Sequence, residues 1–205
     1  MAVLITCAVP DELSTLRAFV KKGQVEGGVL QGLIGSRRVG LVALGIGSVE
    51  AALTASSILA RGSWEALWFV GTAGILPGAR FEVGQAVEAG LVMASHAPGE
   101  RLPGPLAESA KAGLAPAEGG VHVWSSQGVS ETRELAEFAS SHAAHVENME
   151  LWGVARAALR VGVPWGAVLG LSNDVGPQAQ AQWLENRHRA AAAACQRMAA
   201  LLGKD

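Results

Sequence analysis

Two carboxylates stand at points where a predicted strand ends and a helix begins. Glu12 lies in "AVPDEL", at the end of the apolar run "AVLITCAV", and Glu150 lies in "VENMEL", just before an apolar helical pattern. A buried carboxylate is costly unless it is hydrogen-bonded, so Glu150 against an apolar helix face suggests a polyhydroxylated ligand. Glu12 would lie in the first turn of a helix, just past a strand. Either residue could instead be a surface acid that complements a helix dipole.

A glycine-bearing turn, "LGIGSVEAA", could bring backbone amides close to a ligand. Gly45 and Gly47 would allow that approach at a helix N-terminus, where anions bind. The third glycine of a dinucleotide fingerprint is absent, because its position holds Glu50. The segment is therefore either a ligand-binding turn or a tight connection between a strand and a helix.

Two further strand ends carry small or polar residues. In "GTAGIL", two glycines bracket Thr72 and Ala73 directly after a buried strand, which would make room for a ligand against the backbone. A bare turn would have the same pattern. In "LSND", Asn173 and Asp174 end another strand. Neighbouring side chains of an extended chain point to opposite sides, so only one of these two should face a ligand.

The elements that position these residues alternate between short apolar runs and longer helical patterns. Strands are predicted for "AVLITCAV", "VLQGLIG", "RVGLVALG", "EALWFVG", "VGQAVEAGLVMAS", "GVHVWSS" and "PWGAVLGLSN". Helices are predicted for "DELSTLRAFVKK" capped by Asp11, "SVEAALTASSILARG", "SETRELAEFASSH" opened by Ser130, Glu150 to Val161, and a closing segment from Gln180. His96 to Glu108 is rich in Pro and Gly and predicts a long loop. Such alternation indicates an α/β fold with a largely parallel or mixed sheet, whose ligands bind at strand ends.

The composition narrows the class of protein. The chain has 205 residues, of which half are apolar and 17% are charged, so we predict one domain, residues 1–205, with a sizeable core. A net charge of −2 without a long basic run argues against nucleic acid as a partner. Lys21–Lys22 are predicted to be a solvated helix end. The first apolar run stops at Pro10, which is too early for a signal peptide or a membrane span, so we expect a cytoplasmic protein without membrane contact.

Cysteine and histidine suggest neither a disulfide nor a metal. Cys7 and Cys195 lie in apolar or Ala-rich segments and are expected to be free, buried thiols. His142 and His145 have a spacing that could share a metal ion, but no third ligand of matching type stands close by. We therefore expect no metal and no cofactor.

Taken in order, the segments "AVPDEL", "GIGSVEAA", "GTAGIL", "VENMEL" and "LSNDVG" resemble the purine nucleoside phosphorylase and nucleosidase superfamily. The resemblance runs from Ala8 to about Trp183 with matching order and spacing. Within that superfamily, "VENME" and "LSNDVGP", with Trp183 shortly after, are most similar to the futalosine hydrolases of menaquinone biosynthesis. The methylthioadenosine/adenosylhomocysteine nucleosidases are the next most similar.

This resemblance implies a three-layer α/β sandwich around a mixed, partly barrel-like sheet. It implies that Glu12 deprotonates the attacking water and that Asn173 meets the purine, with Asp174 beside it. It also implies that the substrate is bound by Thr72, Ala73, Gly74, Asn148, Met149 and Glu150. Glu150 would accept hydrogen bonds from the ribose hydroxyls while Met149 packs on the sugar, and the Gly45–Ser48 turn would shape the region where phosphorylases bind phosphate. The relatives are commonly dimers, so a homodimer or higher homo-oligomer is expected.

The first loop favours water over phosphate as the attacking group. Phosphate needs several donors and preferably Arg, whereas "CAVPDEL" offers an acid and a proline. We therefore predict hydrolysis of the N-glycosidic bond of a purine nucleoside, with futalosine giving hypoxanthine and dehypoxanthinyl futalosine. The alternatives are a methylthioadenosine/adenosylhomocysteine nucleosidase, a purine nucleoside phosphorylase, and a nucleoside-binding protein without catalysis.

Three positions depart from the pattern of the family. Leu151 and Trp152 follow "ME", where relatives have small residues, so Trp152 either points into the core or narrows the pocket. Leu169 stands where the adenosine-type nucleosidases carry an arginine, and Asn173 stands where they carry an Asp. An amide offers a donor to O6 and N7 of a 6-oxopurine but cannot act as a carboxylic acid does, which favours hypoxanthine over adenine as the base.

Overall fold

The architecture is a single mixed β-sheet with helices packed on both faces, in a computed structural model that describes residues 1–103 and 120–203. The strands are β1 Ala2–Cys7, β2 Lys21–Glu26, β3 Val29–Ile34, β4 Arg37–Ala43, β5 Trp64–Ile75, β6 Ala86–Ala94, β7 Ala97–Pro103, β8 Val121–Ser125, β9 Val146–Asn148 and β10 Trp165–Asp174. A 3₁₀ helix spans Pro10–Leu13, and the α-helices are α1 Ser14–Arg17, α2 Ser48–Leu59, α3 Arg133–Ser141, α4 Leu151–Val161 and α5 Ala179–Leu202.

Half of the sheet closes into a ring. The strand order β10-β6-β8-β9-β5 returns to its start because β10 also pairs with β5, in parallel. From β5 the sheet continues as an open extension through β1, β4, β3 and β2. The mixed, partly barrel-like sheet that the resemblance implied is therefore confirmed, and β5 belongs to both parts.

The helices cover the sheet from two sides. Helices α2 and α4 pack together on one side, and Gly153 of α4 permits this because a Cβ there would lie 1.9 Å from the Ser48 carbonyl oxygen. Helices α1 and α5 lie on the other side, where Leu16, Cys195 and Met198 join a core cluster with residues of β1 and β5. These three layers confirm the predicted α/β sandwich.

The first predicted helix is wrong in its second half. "DELSTLRAFVKK" is helical only to Arg17, and Lys21–Lys22 begin the exposed strand β2, which pairs with β3. The cap is also wrong, because the 3₁₀ helix begins after Val9 and contains Asp11. Pairing of β2 with β3 provides backbone hydrogen bonds that outweigh the weak helical preference of the short segment.

Strand β5 is longer than predicted. It continues through the glycine-bearing segment as far as Ile75, where a turn after Gly71 was expected. The backbone stays extended there because β10 pairs with it on one side and β9 on the other. The small residues of this segment therefore make room beside a strand, since a Cβ on Gly74 would lie 2.8 Å from the Asn173 amide nitrogen.

Other boundaries also differ from the prediction. Residues Ala97–Pro103 form strand β7 inside the segment predicted to be a loop, and residues 104–108 of that segment lie outside the described residues. Helix α3 starts after Thr132, whose side chain accepts a hydrogen bond from the Leu135 amide, instead of at Ser130. Strand β9, with only three residues, was not predicted. Both cysteines are free and buried, as expected. Within the described part of the chain, no helix combines the length and apolar character that a membrane span requires.

Candidate active site

A cavity of about 240 Å³ opens where β1, β5, β9 and β10 end. The pairing of β5 with both neighbours sets its centre, because Gly74 lies opposite Glu147 of β9 and opposite Asn173 of β10. The cavity brings together eight of the nine residues predicted for the site, namely Glu12, Thr72, Ala73, Gly74, Asn148, Met149, Glu150 and Asn173.

The ninth predicted residue, Asp174, lies outside the cavity lining. Asn173 is 6% exposed and lines the cavity, whereas its neighbour Asp174 is exposed to solvent. The amide group of Asn173 donates to the Asp174 carbonyl oxygen at 3.1 Å and accepts from the Ser172 hydroxyl at 2.7 Å. Asn173 therefore lines the cavity with a side chain whose amide oxygen and nitrogen are both held by hydrogen bonds.

Glu12 is held by four hydrogen bonds, from the two residues that follow β1 and from Thr72 within β5. One carboxylate oxygen accepts from the backbone amides of Ala8 and Val9, at 3.0 and 3.3 Å. The other accepts from the amide and the hydroxyl of Thr72, at 3.1 and 3.2 Å. The bond to Val9 is local, since a Glu at the third position of a helix reaches back to the residue that caps it.

The protonation of Glu12 is set by opposing effects. Burial raises the pKa of its carboxyl above the ordinary value, and the hydrogen bonds from Val9, Ala8 and Thr72 act in the other direction by favouring the charged form. A carboxylate with a raised pKa and ordered donors on both oxygens is suited to take up a proton at a cavity wall.

Glu150 caps helix α4 and points back toward the start of α2. Its carboxylate is 5% exposed and accepts from the Gly47 amide at 2.8 Å and from the Asn148 side chain at 3.0 Å. Gly47 has a φ of 87°, a left-handed conformation that only glycine adopts readily. Burial is the main cause that raises the pKa of Glu150, to about 7, and like charge from Glu12 acts in the same direction, while the hydrogen bonds from Gly47 and Asn148 oppose the shift.

Both polar atoms of the Asn148 side chain form hydrogen bonds within the protein. Its oxygen accepts from the backbone amides of Glu150 and Leu151, at 2.9 and 2.8 Å. Its nitrogen donates to the Glu150 carboxylate and to the Thr72 carbonyl oxygen, at 3.0 and 3.1 Å. An amide can make about four hydrogen bonds, so Asn148 lines the cavity as a brace between the two carboxylate-bearing segments.

Four lining residues with polar side chains were not assigned to the site from the sequence, namely Glu147, Ser172, Gln180 and Trp183. Glu147 is 6% exposed, its pKa is raised by burial, and it accepts from the amide and hydroxyl of Ser130. Ser172 contacts Asn173, and Trp183 donates its indole N–H to the Thr72 hydroxyl at 3.2 Å. Glu147 lies in "VENMEL" and Ser172 lies in "LSND". Their positions beside Glu150 and Asn173 are the signal that could have identified them. Trp183 was noted only as a marker of the resemblance.

The two residues that depart from the family pattern after Met149 lie in the core. Leu151 is fully buried, and Trp152 packs in the main core cluster, with the ring of His96 and the guanidinium of Arg156 about its indole. Neither lines the cavity. Of the two possibilities left open for Trp152, the structure therefore favours packing in the core over narrowing of the pocket.

The cavity is acidic. Glu12, Glu147 and Glu150 line it, and no Lys, Arg or His does so among the described residues. The amide at the start of α2 is occupied by Glu150, so the helix N-terminus that could attract an anion already faces a carboxylate.

The sequence matches the model of the phosphorylase superfamily over residues 2–89 and 88–204, so the chain belongs to this superfamily. The resemblance found from the ordered motifs is thereby confirmed. No curated protein matches the chain significantly.

Solved structures share this fold at low sequence identity. The futalosine hydrolase of Helicobacter pylori has a TM-score of 0.85 and 17% identity, with 100% of this chain and 98% of that chain covered. The 5'-methylthioadenosine/S-adenosylhomocysteine nucleosidase of Neisseria meningitidis, in complex with methylthio-immucillin-A, has a TM-score of 0.85 and 20% identity, covering 100% and 99%. The S. pneumoniae nucleosidase has a TM-score of 0.85 and 22% identity, covering 99% of both chains.

The raised pKa of Glu150 predicts that the buried carboxylate destabilises the protein at alkaline pH. The pKa rises from 4.5 to about 7 on folding, so the carboxyl favours the folded state below pH 4.5 and loses this contribution as pH rises through about 7. Glu150→Gln should therefore raise the free energy of unfolding near pH ~8 by up to about 3 kcal/mol, reduced by the cost of placing the Gln NH₂ group against the Asn148 donor, and should raise Tm. Thermal unfolding across pH tests this. Glu137→Gln, at an exposed position of α3, is the control, and equal pH profiles for all three proteins would contradict the prediction.

Proposed function

We propose that the protein is a nucleosidase that uses water to cleave the N-glycosidic bond of a purine nucleoside. The observation that carries the proposal is the pair of carboxylates, Glu12 and Glu150, in one acidic cavity. They are linked through Thr72, which donates to Glu12, and Asn148, which donates to both the Thr72 carbonyl oxygen and Glu150. Family membership and the fold shared with solved nucleosidases support the same reaction class.

The two carboxylates suit the charges that develop in this reaction. Cleavage builds positive charge on the sugar and negative charge on the departing base. Glu150 would accept hydrogen bonds from the ribose hydroxyls, and these donors favour its ionised form, which in turn stabilises the cationic sugar. Met149, next to it in the lining, would pack on the sugar. Glu12 would take a proton from the attacking water.

Asn173 would recognise the base. Its oxygen accepts one hydrogen bond, from the Ser172 hydroxyl, and its NH₂ group is the part of the side chain that can donate into the cavity. One N–H goes to the Asp174 carbonyl oxygen, which leaves the second for an acceptor of the base. A 6-oxopurine presents acceptors at O6 and N7, whereas adenine presents an amino donor beside N7. We therefore propose a 6-oxopurine nucleoside as the substrate.

Futalosine is the specific substrate that we propose, with a role in menaquinone biosynthesis. The support comes from the similarity of "VENME" and "LSNDVGP" to futalosine hydrolases and from the amide of Asn173. A solved futalosine hydrolase also shares the fold. Hypoxanthine and dehypoxanthinyl futalosine would be the products.

A base-release assay over four nucleosides tests the proposal. Futalosine, its 6-amino counterpart, methylthioadenosine and inosine are each incubated with the protein, and released hypoxanthine or adenine is measured by chromatography. We expect hypoxanthine from futalosine at the highest rate. Faster release of adenine would favour a methylthioadenosine-type nucleosidase. Binding without release of any base would favour a nucleoside-binding protein and contradict the enzymatic proposal.

Inorganic phosphate is expected to leave the rate and the products unchanged. Phosphate binding requires several donors and preferably Arg, and here three carboxylates line the cavity while Glu150 occupies the amide of Gly47. The same assay is run with and without phosphate, and ribose 1-phosphate products are sought by mass spectrometry. Turnover that depends on phosphate would show that the enzyme is a phosphorylase.

A further inference from the structure

Thr72 lies at the junction of the two carboxylate-bearing segments. Its amide and hydroxyl both donate to one oxygen of Glu12, at 3.1 and 3.2 Å. Its carbonyl oxygen accepts from Asn148, which also holds Glu150. The direction in which the Thr72 hydroxyl points its single proton therefore matters for Glu12.

The indole of Trp183 constrains that direction. Its Nε1 lies 3.2 Å from the Thr72 hydroxyl oxygen, although the two residues are 111 positions apart. An indole N–H can only donate, and a hydroxyl has one proton and two acceptor sites. When the hydroxyl accepts from Trp183, its own proton is left for another acceptor, and the Glu12 carboxylate is within reach.

Helix α5 holds the indole in place. The Arg187 guanidinium, one turn along the helix, lies 5.0 Å from the centre of the Trp183 ring. The same helix also contacts Glu12 directly, because the Cys195 thiol donates to the Glu12 carbonyl oxygen at 3.0 Å. The helix is anchored in the core through Ala194, Cys195 and Met198. The position of Trp183 is thus set by the packing of the whole helix.

We propose that Trp183 is a positioning residue that acts on Glu12 through the Thr72 hydroxyl. The indole donor directs the hydroxyl proton onto the Glu12 carboxylate, which orients that carboxylate and favours its charged, proton-accepting form. This inference rests on the proposed function of Glu12 as the general base, and it adds a donor from α5 that the ordered motifs did not assign to the mechanism.

The sign of the effect follows from the groups around Glu12. Glu150 from the start of α4 opposes ionisation by like charge, and Cys7 from β1 and Cys195 from α5 are thiols whose own pKa values are raised by burial. Arg17 of α1 is a cation that acts to lower the pKa of Cys7. The hydrogen bonds to Glu12 are therefore the main effects that favour its charged form. Weakening the bond from Thr72 should raise the pKa of Glu12.

The first test is Trp183→Phe, which keeps an aromatic ring and removes the N–H donor. We expect kcat for base release to fall about five- to tenfold, the scale of one lost hydrogen bond, with little change in KM. The acidic limb of the pH–rate profile should move to higher pH. A larger rise in KM than fall in kcat, with an unmoved limb, would show that Trp183 packs on the substrate and would overturn the proposal.

A double-mutant cycle with Thr72→Val tests the route through the hydroxyl. If Trp183 acts through that group, Trp183→Phe should cause no further loss in a protein that already carries Thr72→Val and so lacks the hydroxyl. Thr72→Ser retains the hydroxyl and should preserve the effect of Trp183→Phe. Losses that simply multiply in the double variant would overturn the proposal. Circular dichroism and Tm confirm folding, and Trp183→Leu, which also lacks an N–H donor, replaces Trp183→Phe if that variant does not fold.

A titration that needs no substrate separates this inference from the proposed function. The carboxyl carbon of Glu12 is followed by ¹³C NMR across pH in the full chain and is assigned by its loss in Glu12→Gln. We expect the pKa of Glu12 to be higher in Trp183→Phe than in the wild type. If no nucleoside releases base, the proposed function fails while this titration still supports or rejects the hydrogen-bond chain. An unchanged titration would overturn the chain itself.

Discussion

Replacing Glu12 with Gln is expected to lower the rate of base release by about 10²-fold or more, the scale of a lost general base. The amide is nearly isosteric, but it cannot accept a proton from water. Its NH₂ group would also face donors, since both oxygens of Glu12 accept from N–H or O–H groups of Ala8, Val9 and Thr72. Nucleoside affinity should survive, because Glu150 and Asn173 are untouched. Steady-state kinetics and calorimetric binding of a slow substrate measure the two quantities.

Asp11, the residue before Glu12, supplies a matched control. Asp11→Asn makes the same change from carboxylate to amide on the same 3₁₀ helix, but Asp11 is exposed to solvent and lies outside the cavity lining. Its rate should equal that of the wild type. If Glu12→Gln is as active as Asp11→Asn, then Glu12 is not the base, and its hydrogen bonds serve only to hold the end of β1 against β5.

The fold class could be predicted because its central strands are continuous apolar runs. Strands β5 and β10 are buried almost throughout, which makes each of them recognisable without knowing its partners. The closure into a ring is different, since it depends on pairing between β10 and β5, which are distant in sequence. No local pattern encodes that pairing, and only the resemblance to a family implied it.

The edges of the fold escaped prediction for a related reason. Strand β2 is exposed along its whole length and has no apolar face, so its conformation is determined by β3. Strand β9 has three residues, too few for any periodicity, and its partners β5 and β8 come from other parts of the chain. Such elements are stabilised by hydrogen bonds to their neighbours more than by their own preferences.

Within the site, the sequence identified residues whose type and position carry the chemistry themselves. Glu12, Glu150 and Asn173 each stand at a strand end or a helix start, where polar groups are exceptional and ligands bind. What it could not supply was the set of contacts among them. The brace through Asn148 and the donor from Trp183 connect residues that are 76 and 111 positions apart. The burial that raises the pKa of Glu150 arises only when these segments meet.

Replacing Glu150 with Ala is expected to damage substrate affinity and catalytic rate together. A hydrogen bond to a charged group contributes about 1.5–3 kcal/mol, so kcat/KM for a riboside should fall about 10- to 150-fold. Part of the loss should appear in kcat, because the attraction between the carboxylate and the sugar strengthens as the sugar becomes cationic. The loss of affinity is expected even though removal of this buried carboxyl relieves like-charge repulsion with Glu12.

The 2'-deoxyriboside of the same base supplies the internal control. The wild type should strongly prefer the riboside, because the deoxy compound leaves the Glu150 carboxylate without the 2'-hydroxyl donor. In Glu150→Ala both compounds lack that interaction, so the preference should collapse while the deoxyriboside loses less than the riboside. This difference separates a lost contact with the 2'-hydroxyl from a general disturbance of the cavity, which would slow both compounds alike. If the wild type does not distinguish the two sugars, Glu150 does not hold the 2'-hydroxyl, and its position at the start of α4 serves the junction with Gly47 instead.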